Sequence, residues 1–107
     1  MKVASGQFAV SRSWQENAAT CTDLMTRALA GGADLLVLPE AVLARDIADP
    51  DLVLKAAQPL DGPFLNEIRA ASRGNGLTTI MTVHVPTDNG KALNVLIVIR
   101  NGEILAR

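Results

Sequence analysis

The chain is poor in aromatic side chains and carries almost no net charge. Of its 107 residues, 3% are aromatic and none is tyrosine, so it lacks the stacking groups that hold single-stranded nucleic acid. Its formal net charge is −1, with acids and bases interspersed, which offers no basic surface to a phosphate backbone. No apolar run approaches the roughly 20 residues that span a bilayer. We therefore expect neither nucleic acid nor membrane as a partner.

Cysteine is also scarce. Cys21 is the single cysteine, so no internal disulfide can form. Residues 1–5 begin without the apolar core of a signal peptide, and together these features predict a cytoplasmic protein. Cys21 lies on the apolar stripe of a predicted helix, which favours a small buried side chain over a nucleophile.

Sequence motifs for cofactors and metals are missing as well. The chain contains no Walker motif, no G-x-G-x-x-G, no H-E-x-x-H and no C-x-x-C, so we predict no cofactor and no metal. Asp46, Asp49 and Asp51 form a polar patch that could in principle hold a hard cation. Acids at a helix start and in a solvated loop explain these residues better.

The most informative stretch is residues 33–40. Four apolar residues, 35–38, follow a Gly-Gly break and predict a strand that is buried on both faces. Pro39 cannot donate a ladder hydrogen bond, so pairing should stop there. Glu40 would then stand where a buried strand opens into a loop, desolvated by its neighbours, a position that suits a general base. An ordinary solvated acid just past a strand is the competing interpretation.

Periodicity and turn signals predict an alternating α/β order along the chain. We expect strands over 2–10, 35–38, 77–85 and 93–100, helices over 14–30 and 52–58 and from 63 to the glycines at 74 and 76, and a short helical turn or loop over 41–44. Asn101-Gly102 is a strong hairpin signal, with a returning strand over 103–107. The predicted fold class is α/β, with a mixed sheet that is parallel at first and ends in an antiparallel hairpin.

Two further polar side chains lie on the late strands. His84 is a weak candidate for binding substrate beside Glu40, against the alternative of a hydrogen-bonded structural histidine. Asn94 precedes five apolar residues, and we expect its amide to fix the local backbone or to reach a neighbouring loop.

Several of these segments, taken in order, resemble the start of the nitrilase superfamily, the carbon–nitrogen hydrolases. The resemblance rests on residues 2–8, Trp14 and Asn17 at a helix start, the Leu-Leu-Val-Leu-Pro-Glu of 35–40, the Asn94 strand and the hairpin at 101–104. Within the superfamily, residues 43–46 and 79–86 are most similar to bacterial amidases of the deaminated-glutathione type.

The resemblance implies an αββα sandwich of which residues 1–107 are the N-terminal part, about 40% of a usual member. The family's triad is a glutamate, a lysine and a cysteine. Glu40 matches the glutamate, the lysine position falls just beyond Arg107, and Cys21 lies in the wrong element to be the cysteine. The implied reaction is hydrolysis of a small-molecule amide through a thioester, and the chain alone is predicted to be inactive.

Two alternatives remain open at this point. The chain could be a catalytically dead remnant or an interaction module, or it could be a small α/β domain that binds a metabolite. The second alternative lacks a phosphate cradle, because the glycines at 74 and 76 precede a strand and not a helix. The late strands are apolar on both faces while two main helices can cover only one, so we also expect a homo-oligomer or a marginally folded chain.

Overall fold

The computed structural model describes residues 1–40, 42–46 and 48–107. In this part of the chain, five strands form one sheet in the order β1-β2-β3-β4-β5. The strands are β1 (Val3–Ser5), β2 (Leu35–Val37), β3 (Thr78–Pro86), β4 (Ala92–Arg100) and β5 (Glu103–Ala106), and the helices are α1 (Trp14–Ala30), α2 (Leu52–Lys55) and α3 (Pro63–Ser72).

The sheet is mixed, as the sequence predicts. β1 pairs with β2 and β2 with β3 in parallel, whereas β3–β4 and β4–β5 are antiparallel. Asn101 and Gly102 form the last turn with φ angles of 48° and 78°, the left-handed conformations that a tight two-residue hairpin requires. The predicted α/β class with a C-terminal hairpin is therefore confirmed.

Two predicted elements are shorter than expected. The strand predicted over 2–10 ends at Ser5, because its partner β2 ends at Val37; the Gly6 amide makes the last bond between them, to the Val37 carbonyl at 2.9 Å. The helix predicted over 52–58 ends at Lys55. The amide of Gln58 donates to the His84 carbonyl of β3 at 3.2 Å instead, so tertiary pairing replaces the last helical turn.

The turn or loop predicted over 41–44 can be followed only in part. Ala41 lies outside the described residues, and Val42 and Leu43 form a turn with buried side chains. None of the helices in the described ranges has the length and apolarity that crossing a membrane requires.

One face of the sheet is packed and the other is open. On β3, Thr79, Met81 and Val83 are buried, and Met81 and Val83 share one core cluster with residues of α1 and α3, while the alternate residues are half-buried. On the opposite face, Val37 of β2 is 38% exposed and Leu96 of β4 is 54% exposed. In the described residues the helices thus form a layer on one side only, and the core lies between this layer and the sheet.

Cys21 gives a test of that core. Its side chain is fully buried on the inner face of α1, and burial raises the pKa of the thiol to about 12. Since the thiolate is the reactive form, we expect native Cys21 to react with iodoacetamide at pH 8 roughly a thousandfold more slowly than a free thiol of pKa ~8.5. The protein in denaturant is the control and should react at the free-thiol rate; rapid labelling of the native protein would contradict the packing.

Candidate active site

The site begins with a difference in length between two neighbouring strands. β2 pairs only with Thr78–Ile80 of β3, and β3 continues to Pro86. Three amides from the segment after β2 occupy this free edge: Leu38 donates to the Ile80 carbonyl at 2.9 Å, Val42 to Thr82 at 3.4 Å and Gln58 to His84 at 3.2 Å. The acceptors are alternate residues of one strand edge, so the segment is held along β3 as an irregular substitute for a strand.

Glu40 lies between the first two of these anchors. As predicted, regular pairing ends before Pro39, and Leu38 makes the last bond of that run. Glu40 occupies a turn with an exposed side chain, so the expectation that its neighbours desolvate it is wrong for the described residues. The reason is local: Glu40 lies in the turn just past the end of β2, and the buried core resumes only at Val42 and Leu43.

A cleft of about 680 Å³ opens beside Glu40 and is lined by residues 8–12, Pro39, Glu40, Arg45 and Asp46. One wall is the segment that follows β1 and the other is the segment that follows β2. Because β1 and β2 are adjacent parallel strands, both segments leave the sheet at its carboxyl edge, where α/β sheets bind ligands. The volume is that of a small-molecule site.

The side chain of Asn17 links the two walls of the cleft by hydrogen bonds. Its side chain is 2% exposed, and its Nδ2 donates to the Ser11 carbonyl at 2.9 Å and to the Leu43 carbonyl at 3.0 Å. Its Oδ1 accepts from the Ser11 amide at 2.8 Å. In the sequence, Asn17 stands out only as part of the family resemblance. The signal for its role here is a polar residue in the first turn of an apolar helix stripe, which must find partners when buried.

An ion-pair network borders the cleft. The Arg12 guanidinium pairs with Asp46 and lies 3.7 Å from Oδ2 of Asp49, which in turn is 3.3 Å from the Lys55 ammonium. The hydrogen bond from Arg12, helped by the Ala48 amide, lowers the pKa of Asp46, and the same pair raises the pKa of Arg12. These two carboxylates of the proposed cation patch therefore have side-chain cations as partners, and no group of three metal-ligating side chains occurs among the described residues.

The other candidate site residues from the sequence do not line the cleft beside Glu40. His84 is half-buried on β3 opposite Asn94 of β4, and neither residue is among the described residues that line the cleft. Binding of substrate by His84 stays a prediction without support from the cleft geometry. Asn94 is exposed, and Cys21 is sealed in the core, so the described lining supplies a carboxylate base and two guanidinium groups but no thiol and no lysine.

The Arg12–Asp46 pair predicts a particular pH dependence. Because the folded-state pKa of Asp46 is lowered, the pair stabilises the fold above the unfolded-state pKa of ~3.9 and loses this contribution as pH falls through the folded-state value. We expect wild type to exceed Asp46→Asn in stability at pH 7, by the small amount usual for exposed pairs, and the two to converge in acid. Denaturant unfolding of both proteins across pH measures this difference in the free energy of unfolding.

The double variant Arg12→Gln/Asp46→Asn completes a thermodynamic cycle for this pair. The coupling should weaken in high salt. A stability difference that persists at pH 2, or that salt does not alter, would mean that Asp46 acts through something other than this ion pair.

Comparison with known proteins agrees with the fold. The model of the carbon-nitrogen hydrolase family matches residues 2–107. The deaminated glutathione amidase of Escherichia coli O157:H7 is 50% identical over all 107 residues, which cover 41% of that protein. The chain thus spans about two fifths of the length of this relative.

Solved structures share the fold. The NitFhit protein of C. elegans superposes with a TM-score of 0.83 at 16% identity, covering 97% of this chain and 26% of that protein. A mutant amidase from Nesterenkonia sp. AN1, with acrylamide added to its active-site cysteine, gives 0.81 at 20% identity, covering 99% and 42%. The family match covers nearly the full length of the chain, and the chain is 50% identical to an amidase. The chain therefore belongs to the carbon–nitrogen hydrolase family.

Proposed function

We propose that residues 1–107 carry the general base of an amidase that hydrolyses a carbon–nitrogen bond in a small metabolite. The observation that carries the proposal is the position of Glu40, in a cleft at the carboxyl edge of two parallel strands and fixed on both sides by backbone bonds to β3. A carboxylate held at such an edge, facing a cavity of metabolite size, is arranged to take a proton from a reacting group.

In this proposal Glu40 removes the proton of a cysteine thiol, and the thiolate attacks the amide carbon. The tetrahedral intermediate collapses to a thioester as Glu40 gives its proton to the leaving amine. Glu40 then deprotonates water, which attacks the thioester and releases the acid and the cysteine thiolate, and the thiolate takes back the proton from Glu40. A lysine would stabilise the oxyanion. The Nesterenkonia amidase has an active-site cysteine, which supports a thiol as the nucleophile in a protein of the relatives' length.

The described cleft lining contains neither of these partners. Cys21 is excluded because its thiol is buried and its pKa is about 12. Lys55 is engaged by Asp49, and Lys91 is exposed at the end of the β3–β4 turn. We therefore propose that the 107-residue chain is inactive alone and becomes active when joined to the segment that supplies the lysine and the cysteine.

A chimaera tests the role of Glu40. The matching 107 residues of the E. coli amidase are replaced by this chain, and hydrolysis of deaminated glutathione and of short ω-amides is measured. We expect turnover by the chimaera, none by the isolated chain, and a loss of ~100- to 10,000-fold in kcat for Glu40→Gln, the usual contribution of a general base.

The matched control is Glu67→Gln, an exposed glutamate on α3. Near-normal rates for Glu40→Gln would remove Glu40 from the mechanism. Turnover by the isolated chain would show that the chemistry needs no further segment.

A second proposal concerns association. The open face of the sheet exposes Val37 and Leu96, and Leu105 on β5 is 56% exposed. Apolar side chains on a bare sheet face favour burial against a second copy, and the edge strand β5 has no neighbour beyond β4 in the described residues. We propose that the isolated chain forms homo-oligomers through this face.

Sedimentation velocity measures this association. Leu96→Glu should shift the chain toward monomer, whereas Leu54→Glu, at an exposed leucine of α2 outside the sheet, should leave the distribution unchanged. A monodisperse wild-type monomer that unfolds cooperatively with ~5–15 kcal/mol, the range of complete domains, would refute the proposal.

A further inference from the structure

The end of α3 holds the turn between β4 and β5 by hydrogen bonds to both backbone groups of Gly102. The Gly102 amide donates to Oγ of Ser72 at 2.7 Å, and Nε of Arg69 donates to the Gly102 carbonyl at 2.9 Å. The Ser72 hydroxyl donates in turn to the Arg69 carbonyl at 2.8 Å. Ser72 is fully buried, so a group left unpaired here would have no water to replace its partner. We refer to Arg69 and Ser72, with the bonds that they make to Gly102, as the hairpin clamp.

Two further features decide which residue of the turn the hairpin clamp accepts. Oδ1 of Asn101 accepts from the Gly74 amide at 2.9 Å, just past the end of α3. Gly102 has a φ of 78°, and a Cβ built on it would lie 2.7 Å from Cγ of Arg73. A slip of the hairpin by one residue would bring Asn101 or Glu103 to this position, and each of them carries a Cβ. The clamp therefore fits one register of the hairpin.

β5 runs toward the edge of the sheet at which Glu40 lies. It is antiparallel to β4, which is antiparallel to β3, so β5 points in the same direction as the parallel strands β1, β2 and β3. Cross-strand pairs align Ala106 with Val98, Val98 with Ile80, and Ile80 with Val37, the last residue of β2. The chain that leaves Ala106 thus starts about 14 Å from the end of β2, three strand spacings across the sheet, which about five extended residues can span.

A bulge in β5 depends on the same register. Ile99 pairs with Ile104 and Val98 with Ala106, so Leu105 has no counterpart on β4. Ile104 packs against the core, and the bulge places Ala106 on the opposite face, beside Val98. Since side chains alternate along a strand, a slip by one residue would exchange the faces for β5 and for the chain that follows it. The position of the turn therefore controls how the following residues are presented at the edge of the sheet.

We propose that Ser72 and Arg69 are positioning residues for the active site: by holding Gly102 they keep β5 in register, and so direct the polypeptide that follows Ala106 toward Glu40. The proposal rests on the proposed function, in which the thiol and the lysine that the described cleft lining lacks come from another segment. Among the described residues, the hairpin clamp is not part of the cleft lining, so it acts through β5 and not by contact with a substrate.

Hydrogen exchange and NOEs in the 107-residue chain measure the hold of the hairpin clamp on β5. In wild type we expect slow exchange of the Gly102 amide and an NOE between Val98 and Ala106, because these two residues pair across the strands. Ser72→Ala removes the acceptor, and the Gly102 amide should then exchange roughly 10- to 100-fold faster, with a weaker NOE between Val98 and Ala106. Exchange of the Gly102 amide at the free-peptide rate in wild type would overturn the proposal.

Asn66→Ala is the matched control, because it removes a side-chain hydrogen bond at the other end of α3, to the Asp61 carbonyl at 2.9 Å. It should leave the exchange of Gly102 unchanged. Arg69→Met removes the donor to the Gly102 carbonyl at a half-buried position and takes the place of Ser72→Ala if that variant does not fold. Arg69→Lys retains an N–H donor and should keep part of the protection.

Turnover in the chimaera with the E. coli amidase tests the consequence for catalysis. Ser72→Ala should lower kcat roughly 10- to 100-fold, the effect of a misplacement of about 1 Å, and leave KM within about twofold, because the walls of the cleft are intact. The rate is referred to the folded fraction of each variant, measured by denaturant unfolding, so that a loss of folded protein does not count as a loss of kcat. Arg69→Lys should retain more of the rate than Arg69→Met, and Asn66→Ala should retain all of it.

The two measurements separate this proposal from the one on which it rests. If the unaltered chimaera hydrolyses no amide, the proposed function fails, and exchange and NOEs still decide whether the hairpin clamp holds β5. If the chimaera is active and Ser72→Ala loosens β5 without lowering kcat, the positioning role is refuted and the role of Glu40 stands.

Discussion

Backbone hydrogen bonding along the free edge of β3 is the constraint on which the site depends. β2 covers three residues of a nine-residue strand, and the remaining carbonyls would be left without donors in a partly buried position. The segment after β2 supplies those donors, and in doing so it is drawn along the strand to His84. The position of Glu40, two residues after one anchor and two before the next, follows from this pairing and not from any contact of its own side chain.

The second constraint is the buried amide of Asn17, which connects the helix layer to the cleft. Its three hydrogen bonds satisfy both backbone groups of Ser11 and the carbonyl of Leu43. A buried backbone group left without a partner costs about 1–3 kcal/mol, so the Asn17 amide helps to hold the two loops in register. The backbone amide of Arg45 joins the same network through Ser11, which couples the charge pattern of the cleft to the start of α1.

Features that depend on local chemistry could be predicted from the sequence. β2 ends before Pro39 because proline has no amide donor, and the hairpin at Asn101-Gly102 follows from two residues that adopt left-handed conformations. Both effects act within a few residues. The extent of β1 could not be predicted, because it depends on the register in which β1 pairs with β2, with Ser5 opposite Val37. The exposure of Glu40 and the pairing of Arg12 with Asp46 depend on loops that meet only in the folded chain, 34 positions apart in the second case. Periodicity carries no information about such contacts.

The open sheet face and the exposed Glu40 impose the same requirement on an active form of the proposed amidase. Apolar side chains such as Leu96 lower their free energy when they leave water, and electrostatic stabilisation of an oxyanion is far stronger in a dry site than in a wet one. The described residues cover one face of the sheet and form two walls of a cleft that is open to water. In the proposed amidase, further polypeptide packed on the bare side of the sheet and over the cleft would bury the apolar face and at the same time exclude water from Glu40, so one covering layer would meet both requirements.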